Sequence, residues 1–332
     1  MRAVVCHEFA TIHDLVLEDI EPPALADDQV RIKVMASGVS FATGLIVAGK
    51  YQRKPPRPFV PGAEIAGEVI AVGAAVTRFN PGERVFAGVD WGGWAEQAVA
   101  KDIFTHHIPD GLDFAQATLL PLSYPTSYAA LNWKANLRDN ETVLVHGSTG
   151  AVGLAAVEIA KARGARVIAT ASTPEKRQLA TDHGADFTIG YEGLREAVKE
   201  ITEGHGADII FDPIGGDVFM ESLRCTAREG RLITIGYASG TIPEPPVNFL
   251  LVKNMSIIGL NYGTYVGWSP GDDGTAYADD NAALHEDMKL MIEAGKLRPT
   301  VTFRFPLDEF IAAYEAVESR ISVGKVVVEP QV

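Results

Sequence analysis

A glycine-spaced turn near the middle of the chain constrains the fold more than any other feature. An apolar run from Thr142 to His146 leads into Gly147, Gly150 and Gly153, and a helical pattern rich in Ala, Val and Ile follows. The GxxGxxG spacing is a variant of the dinucleotide-binding fingerprint, which requires a strand, a turn and a helix in this order. Gly150 would let backbone amides approach a pyrophosphate, Gly153 would allow close packing of the helix, and the helix N-terminus adds partial positive charge. The alternative is an ordinary tight turn.

Strand and helix patterns alternate from this turn onward. Further strands are predicted over Arg166 to Ala171, Ala207 to Phe211, Arg231 to Ile235 and Ser256 to Leu260, with helical stretches between them. Repeated units of this kind predict an α/β fold in which a doubly wound parallel sheet carries helices on both faces.

The beginning of the chain has a different pattern. Val30, Ile32 and Val34 alternate with Arg31, Lys33 and Met35, which is typical of a half-buried strand. Other short β-rich pieces are separated by Gly, Pro and Asn. A final strand, Lys325 to Glu329, is expected to rejoin this β-rich unit. The predicted domains are therefore residues 1–122 with 264–332, and residues 123–263.

Composition excludes several functional classes. A length of 332 residues suits two domains, and the net charge of −14 disfavours nucleic acid and anionic membranes as partners. Cys6 and Cys225 are too few for a disulfide framework or a four-thiolate zinc lobe, which suits a reducing compartment. Because no signal-like or membrane-spanning apolar run is present, we expect a cytoplasmic protein.

The residues after the second strand favour NADPH over NADH. An NAD site usually has an acidic residue about 20 positions beyond the glycine turn, where it holds the ribose hydroxyls. Here the sequence is Ala171-Ser172-Thr173, and Lys176 and Arg177 follow within one helical turn. Hydroxyl donors and cations of this kind are what a 2′-phosphate pocket needs. The alternative for the two cations is a solvated helix face.

Motifs along nearly the whole chain point to one protein family. They are Gly38-Val-Ser-Phe41, Gly49-Lys-Tyr51, Pro61-Gly-Ala-Glu64-Ile-Ala-Gly67, Pro81-Gly-Glu-Arg-Val85, the glycine turn, Asp212-Pro-Ile-Gly-Gly216 and Val323-Gly-Lys-Val326. Together they resemble the zinc-independent medium-chain dehydrogenase/reductases of the NADPH:quinone oxidoreductase, zeta-crystallin-like family. The resemblance implies a GroES-like β-barrel catalytic domain, built from both chain ends, around a Rossmann domain.

The glycine motif and the resemblance together give the candidate cofactor-binding residues. They are Ser40, Thr126, Ser148, Thr149, Gly150, Ala151, Val152, Gly153, Ser172, Lys176, Tyr191, Gly236 and Arg320. The resemblance places Thr126 at the nicotinamide end, where it also suits a helix N-cap, and Tyr191 near the adenosine. It implies that Arg320 joins the 2′-phosphate site and that Gly236 presents backbone to the carboxamide. Tyr191 and Arg320 are otherwise ordinary surface residues.

The same resemblance argues against a catalytic metal. Zinc members of the superfamily carry Cys at the position of Ser40 and His at the position of Ala63, and Glu64 alone cannot hold a tetrahedral zinc ion. Several relatives carry Asn and Asp where this chain has Ser40 and Thr43, so two polar contacts near the nicotinamide differ. No metal site is therefore predicted, and the acceptor is not identified by these positions.

Hydride transfer from NADPH without a metal requires an acceptor that is already activated. Quinones and α,β-unsaturated carbonyls meet this requirement, whereas alcohol oxidation needs a Lewis acid or a placed base. We therefore expect an NADPH-dependent reductase of a quinone or an enone. The alternatives are an enoyl-CoA (enoyl thioester) reductase and a low-turnover NADPH-binding protein.

Tyr51 is the candidate catalytic residue. It resembles the Tyr that donates a proton in related enoyl thioester reductases, and the alternative is a core Tyr whose hydroxyl caps a loop. Arg53, Lys54 and Arg57 follow it, and they suit either the phosphates of an acyl-CoA or a solvated loop. The loop 265–281 is either a lid or a plain surface loop.

A homodimer is expected from the last strand of the doubly wound part. Met255 to Leu260 is rich in β-branched residues, and relatives pair such an edge strand with its copy in a second chain.

Overall fold

The computed structural model describes residues 1–268 and 273–332 and divides the chain into two compact units. The first unit contains residues 1–122, 263–289 and 299–332, and the second contains 123–262 and 290–298. This division differs from the predicted boundaries at residue 263, which was predicted in the second domain, and at residues 290–298, which the sequence pattern assigns to the first. The segment is held in the second unit, where the Arg298 N–H donates to Glu158 Oε2 (3.0 Å).

The chain begins with strands and short helices and then alternates strand with helix. The strands are β1 (Arg2–Val5), β2 (Val16–Asp19), β3 (Gln29–Val39), β4 (Glu64–Val72), β5 (Arg84–Gly88), β6 (Gln97–Lys101), β7 (Thr105–His107), β8 (Thr142–Val145), β9 (Arg166–Thr170), β10 (Phe187–Ile189), β11 (Ala207–Asp212), β12 (Thr226–Thr234), β13 (Ser256–Gly259), β14 (Val301–Pro306) and β15 (Lys325–Glu329). The helices are α1 (Phe41–Val47), α2 (Phe114–Ala117), α3 (Ser123–Tyr128), α4 (Ala151–Ala162), α5 (Pro174–Asp182), α6 (Leu194–Ile201), α7 (Gly216–Cys225), α8 (Asn248–Lys253), α9 (Ala278–Glu293) and α10 (Phe310–Glu318).

The first unit is built on a mainly antiparallel sheet. Its strand order is β14-β15-β3-β4-β5-β7, and β6 also pairs with β3. Val30, Ile32 and Val34 of β3 are fully buried, as their alternation predicted, because successive side chains of a strand point to opposite faces. The last strand does rejoin this unit, since Val327 of β15 pairs with Gly38 of β3.

The second unit contains a parallel sheet in the order β10-β9-β8-β11-β12-β13. This is the order of a Rossmann fold, so the prediction of a doubly wound parallel sheet is confirmed. Apolar side chains such as Leu144, Ile210 and Leu232 form its core. Because all of these strands are parallel, their carboxyl ends lie along one edge of the sheet, where such folds bind ligands.

Several boundaries differ from the sequence predictions. Helix α4 begins at Ala151 rather than Leu154, because the helix starts directly at the glycine turn. Helix α9 begins at Ala278, so the end of the 265–281 loop is helical; residues 269–272 of that loop lie outside the described residues. The short helices α1 and α8 were not predicted, since neither is long enough to show a helical period. Across the described ranges, no helix is both long and apolar enough to cross a bilayer.

Candidate dinucleotide-binding site

The glycine turn closes on itself at the end of β8. Gly147 has a φ of +55°, and its carbonyl accepts the Gly150 N–H (3.0 Å). A Cβ at Gly153 would lie 2.1 Å from the Gly147 oxygen, so only glycine fits there. A Cβ at Gly150 would find only that same oxygen, at 3.6 Å. Gly153 thus permits the tight turn, whereas the surface at Gly150 stays open to a ligand.

Ser148 anchors the turn to the neighbouring strand. Its N–H and its hydroxyl both donate to the carbonyl of Thr170, at 3.2 and 2.9 Å, and the residue is fully buried. Thr149 is buried as well, and Ala151 and Val152 form the half-buried first turn of α4. The backbone here, rather than the Ser148 side chain, is the part of the turn suited to hold an anion at the positive end of a helix.

Tyr191 supports the turn from beyond the end of β10. Its hydroxyl oxygen accepts the N–H of Gly147 (3.1 Å), and its side chain is half-buried. The resemblance predicts only that Tyr191 lies near the adenosine. The hydrogen bond between Tyr191 and Gly147 was not predicted from the sequence. It could not be foreseen, because the two residues are 44 positions apart.

The end of β9 carries the candidate 2′-phosphate group of residues. Ser172 is exposed, and Thr173 caps helix α5 by accepting the Lys176 N–H (3.3 Å). Arg177 extends back along the helix, where its Nη1 donates to the carbonyl of Ala171 (3.1 Å). Sequence reasoning missed Glu175, whose pKa is lowered by hydrogen bonds from its own backbone and from the Thr173 hydroxyl.

A row of buried polar side chains lies at the same sheet edge. His146 contacts Thr170 Oγ1 through Nδ1 (3.0 Å) and Ser222 Oγ through Nε2 (2.7 Å), and burial lowers its pKa to about 3. Asp212 is also fully buried, and burial raises its pKa to about 6 against the opposing effect of hydrogen bonds from the Ile214 and Gly215 N–H groups. The sequence did contain a signal for Asp212, since it opens one of the shared motifs, but no role was assigned to it.

The loop at Gly236 pairs with the loop that follows Asp212. The Ala238 and Ser239 N–H groups donate to the carbonyls of Pro213 and Ile214, at 3.0 and 2.9 Å. A Cβ at Gly236 would find only the Pro213 oxygen, at 3.8 Å, so the backbone is open there. The loops after β11 and β12 therefore form one hydrogen-bonded unit.

Thr126 is not a helix N-cap, and that expectation was wrong. Helix α3 begins at Ser123, three residues earlier, so Thr126 lies inside it and is half-buried. Pro125 is tolerated because the N–H groups of a first helical turn have no intrahelical partner. The next residue, Ser127, donates to the carbonyl of Val152 (2.7 Å) and so connects α3 to the start of α4.

The remaining candidates belong to the first unit. Ser40 precedes helix α1, and its hydroxyl is hydrogen-bonded to Thr43 Oγ1 (3.1 Å). Tyr51 is half-buried, and burial raises its pKa while a hydrogen bond with Gln52 opposes the rise, so its phenol is neutral at physiological pH. Arg320 is exposed, with a φ of +58°, just after α10.

Two of the cations after Tyr51 already have partners within this unit. Arg53 Nη1 donates to Asp90 Oδ1 (2.7 Å), and its guanidinium lies 5.0 Å from the centre of the Trp91 ring. Arg57 pairs with Glu8 and lies 4.6 Å from the ring centre of Phe9. These contacts reduce the positive charge available for a phosphate-bearing substrate.

The residues at the zinc-ligand positions do not fit a zinc ion. The Ser40 hydroxyl is engaged with Thr43, and Glu64 forms a buried ion pair with Lys325 Nζ. A lysine ammonium beside the carboxylate opposes a second cation there. In the described ranges no three His, Cys, Asp or Glu residues form a metal-binding group.

Comparison with known proteins defines the class first. Residues 26–110 match the alcohol dehydrogenase GroES-like domain, and residues 151–272 match the zinc-binding dehydrogenase family, which together are the two parts of a medium-chain dehydrogenase/reductase. The chain is 42% identical to the quinone oxidoreductase-like protein 2 homolog of Nematostella vectensis, over 98% of this chain and 88% of the relative. It is 35% identical to human quinone oxidoreductase, over 95% of this chain and 93% of the relative. This chain belongs to the quinone oxidoreductase family.

A solved relative agrees with this assignment. The quinone oxidoreductase of Thermus thermophilus, solved alone and in complex with NADPH, is 32% identical. It superposes with a TM-score of 0.83 over 99% of this chain and all of its own. The predicted family and the predicted fold, a GroES-like domain with a Rossmann domain, are therefore confirmed.

Proposed function

We propose that this protein is an NADPH-dependent oxidoreductase that transfers hydride to a quinone or an α,β-unsaturated carbonyl without a metal ion. One observation carries the proposal. The glycine turn stands at the carboxyl edge of a Rossmann sheet, and the end of the next strand, β9, presents Ser172, Lys176 and Arg177 instead of a ribose-binding carboxylate. The NADPH complex of the Thermus relative supports the same cofactor.

When bound, NADPH supplies a hydride from its nicotinamide ring, and the chain's own residues bind and orient the molecule. Backbone amides of the first turn of α4, from Ala151 to Gly153, bind the pyrophosphate at the positive end of the helix. Ser172 and Lys176 bind the 2′-phosphate, and Tyr191 holds the Gly147 amide in place. From the resemblance we also assign cofactor contacts to the remaining candidates, Ser40, Thr126, Gly236 and Arg320.

Tyr51 is proposed to donate a proton, or a hydrogen bond, to the oxygen of the reduced acceptor. Its phenol is protonated at neutral pH and can donate a hydrogen bond, while the rise of its pKa by burial makes it a weaker acid and so favours hydrogen bonding over full proton transfer. If Tyr51→Phe keeps most of kcat with every activated acceptor, Tyr51 has no catalytic role. Tyr314→Phe is the matched control, since burial also raises the pKa of this tyrosine in the same unit and we assign it no role.

The engagement of Arg53 and Arg57 with acidic and aromatic partners favours a phosphate-free acceptor over an acyl-CoA. A panel of quinones, enones and crotonyl-CoA, each with NADPH, tests this. We expect kcat/KM for a quinone or enone to exceed that for crotonyl-CoA. NADPH binding without turnover of any acceptor would instead indicate a low-turnover binding protein.

The cofactor assignment is tested by Lys176→Ala. Loss of a charge-assisted hydrogen bond costs about 1.5–3 kcal/mol, so NADPH affinity should fall roughly 10- to 100-fold while NADH affinity stays nearly constant. Lys199→Ala, in the last turn of α6, is the control and should change neither. Equal losses for NADPH and NADH would contradict a 2′-phosphate role for Lys176.

We propose a homodimer formed through the β13 edge of the Rossmann sheet. In the described chain β13 ends the strand order, and the adjacent segment exposes the apolar side chains of Val247, Leu251 and Val252, by 67–80%. An unpaired edge beside apolar surface is a typical association site. Sedimentation at micromolar concentration should give twice the mass of one chain, and Leu251→Glu should shift it toward one.

A further inference from the structure

Asp212 ends strand β11 at the point where the strand order of the Rossmann sheet reverses. Strand β11 is adjacent to β8, and from these two strands the chain proceeds toward opposite ends of the sheet. Ligands of open α/β sheets bind at this position. The loops after the two strands approach each other, since a Cβ at Gly147 would lie 3.2 Å from Ile214 Cδ1. Asp212 therefore lies at the base of the candidate dinucleotide site.

The carboxyl group of Asp212 is only half satisfied. Oδ1 accepts the N–H groups of Ile214 (2.7 Å) and Gly215 (3.1 Å). Oδ2 is buried and has no hydrogen-bond partner among the described residues. Burying a charge without a full set of partners is costly, so this group is unusual for a structural position.

The two hydrogen bonds at Oδ1 shape more than one loop. They fix residues 213–216, and this segment in turn holds the loop after β12 through the Ala238 and Ser239 N–H groups and through Gly216, whose N–H donates to Thr241 O (3.1 Å). That second loop includes Gly236, the candidate carboxamide contact. Asp212 thus supports the backbone of the loops after both β11 and β12.

The elements packed against Asp212 bring it no neutralising cation. On one side of β11, His146 directly follows β8, and its side chain is neutral because burial lowers its pKa to about 3. On the other side, Thr234 of β12 pairs with Asp212. Helix α7 carries the exposed Asp217 and the pair Glu221 and Arg224. The pKa of Asp212 is raised to about 6 by burial, opposed only by the two backbone N–H groups, and no charged group of the described chain contributes.

We propose that Asp212 is a positioning residue of the dinucleotide site, and that binding of the anionic dinucleotide is accompanied by uptake of up to one proton from solvent at this carboxyl group. The inference rests on the proposed function, because the phosphates of the cofactor bring negative charge to loops that adjoin an unneutralised carboxylate. A protonated carboxyl still accepts both amides at Oδ1, and protonation removes the buried charge. The loops therefore keep their shape when the cofactor is bound.

Calorimetric titration with NADPH tests the inference, in two buffers of different ionisation enthalpy near pH 7. The wild-type protein should take up about 0.5 proton more per NADPH than Asp212→Asn, and its Kd should rise about 3-fold more per pH unit between roughly pH 6 and 8. The comparison between variants cancels the titration of the 2′-phosphate itself. Asp208→Asn is the matched control, since Asp208 lies on the same strand and accepts the Thr142 N–H (2.8 Å); it should behave as wild type.

The outcomes separate the two proposals. NADPH binding with equal proton uptake in all three proteins overturns the role of Asp212 and leaves the proposed function standing. Absence of NADPH binding to the wild type overturns both. If Asp212→Asn does not fold, infrared difference spectra of the wild type decide: NADPH should produce a protonated-carboxyl band, and its absence contradicts the inference.

Discussion

Glu64 and Asp212 are both buried carboxyl groups at the ends of sheet strands, one in each unit, yet their surroundings differ. Glu64 begins β4 and is paired with Lys325, which is itself buried. Asp212 ends β11 and has two backbone N–H groups but no cation. The first unit thus neutralises its buried carboxylate with a buried lysine, whereas the second leaves a carboxyl group without a cation at the carboxyl edge of its sheet, where burial raises its pKa.

Removing the lysine that pairs with Glu64 should have the largest effect on stability. Lys325→Met leaves Glu64 as an uncompensated buried charge, and such a loss lowers the free energy of unfolding by about 3–5 kcal/mol. Urea unfolding measures it, and Glu64→Gln combined with Lys325→Met should recover much of the stability. Arg304→Met, at a half-exposed pair with Asp113, is the control and should cost about 1 kcal/mol or less.

Removing the unpaired carboxylate should affect stability in a pH-dependent way. A pKa raised from 3.8 to about 6 means that Asp212 favours folding when protonated, so its contribution is full below pH 3.8 and is lost as the pH rises through 6. Relative to Asp212→Asn, the wild type should lose at most about 3 kcal/mol between pH 4 and 7. A constant difference between the two proteins over this range contradicts the assigned environment.

His146, beside Asp212, should respond to pH in the opposite direction. Its pKa is lowered from 6.5 to about 3, so the neutral ring favours folding above pH 6.5 and its contribution is lost as the pH falls toward 3. About 2 kcal/mol should be lost between pH 6.5 and 5 in the wild type but not in His146→Gln. Urea unfolding over the acid range would measure this, and a variant as acid-sensitive as wild type would show that His146 is not the group responsible.

The smallest effect is expected at Tyr191, whose uncharged side chain supports the glycine turn. Tyr191→Phe removes one hydrogen bond to Gly147, worth about 1 kcal/mol, so NADPH should bind roughly 5-fold more weakly, with no change in proton uptake. Calorimetry would check both values. Tyr314→Phe is a suitable control, because that tyrosine belongs to the first unit and is assigned no contact with the turn. A changed proton uptake in Tyr191→Phe would mean that Asp212 and Tyr191 are not independent.

Much of the fold could be predicted because its signals are local. The alternation in β3, the run of βα units and the glycine spacing each occupy a few consecutive residues, and the structure has a strand or helix at each. Two boundaries were predicted wrongly, because they depend on contacts between residues that are distant in the sequence. Thr126 has an N-cap residue type, but helix α3 starts three residues earlier, and residues 290–298 follow the second unit because Arg298 is bound there.

The candidate site divides in the same way. The open backbone at Gly150, the hydroxyls and cations after β9 and the missing zinc ligands are properties of residue type. The family, its two domain types and the expected preference for a phosphorylated dinucleotide could therefore be predicted from residue order alone. The partners of each buried charge could not be predicted in this way. Glu64 and Lys325 are 261 positions apart, and Asp212 is unpaired because of what β8, β12 and α7 place around it. These environments arise on folding, because the energy of a buried charge depends on its neighbours in space, and no pattern of consecutive residues records those neighbours.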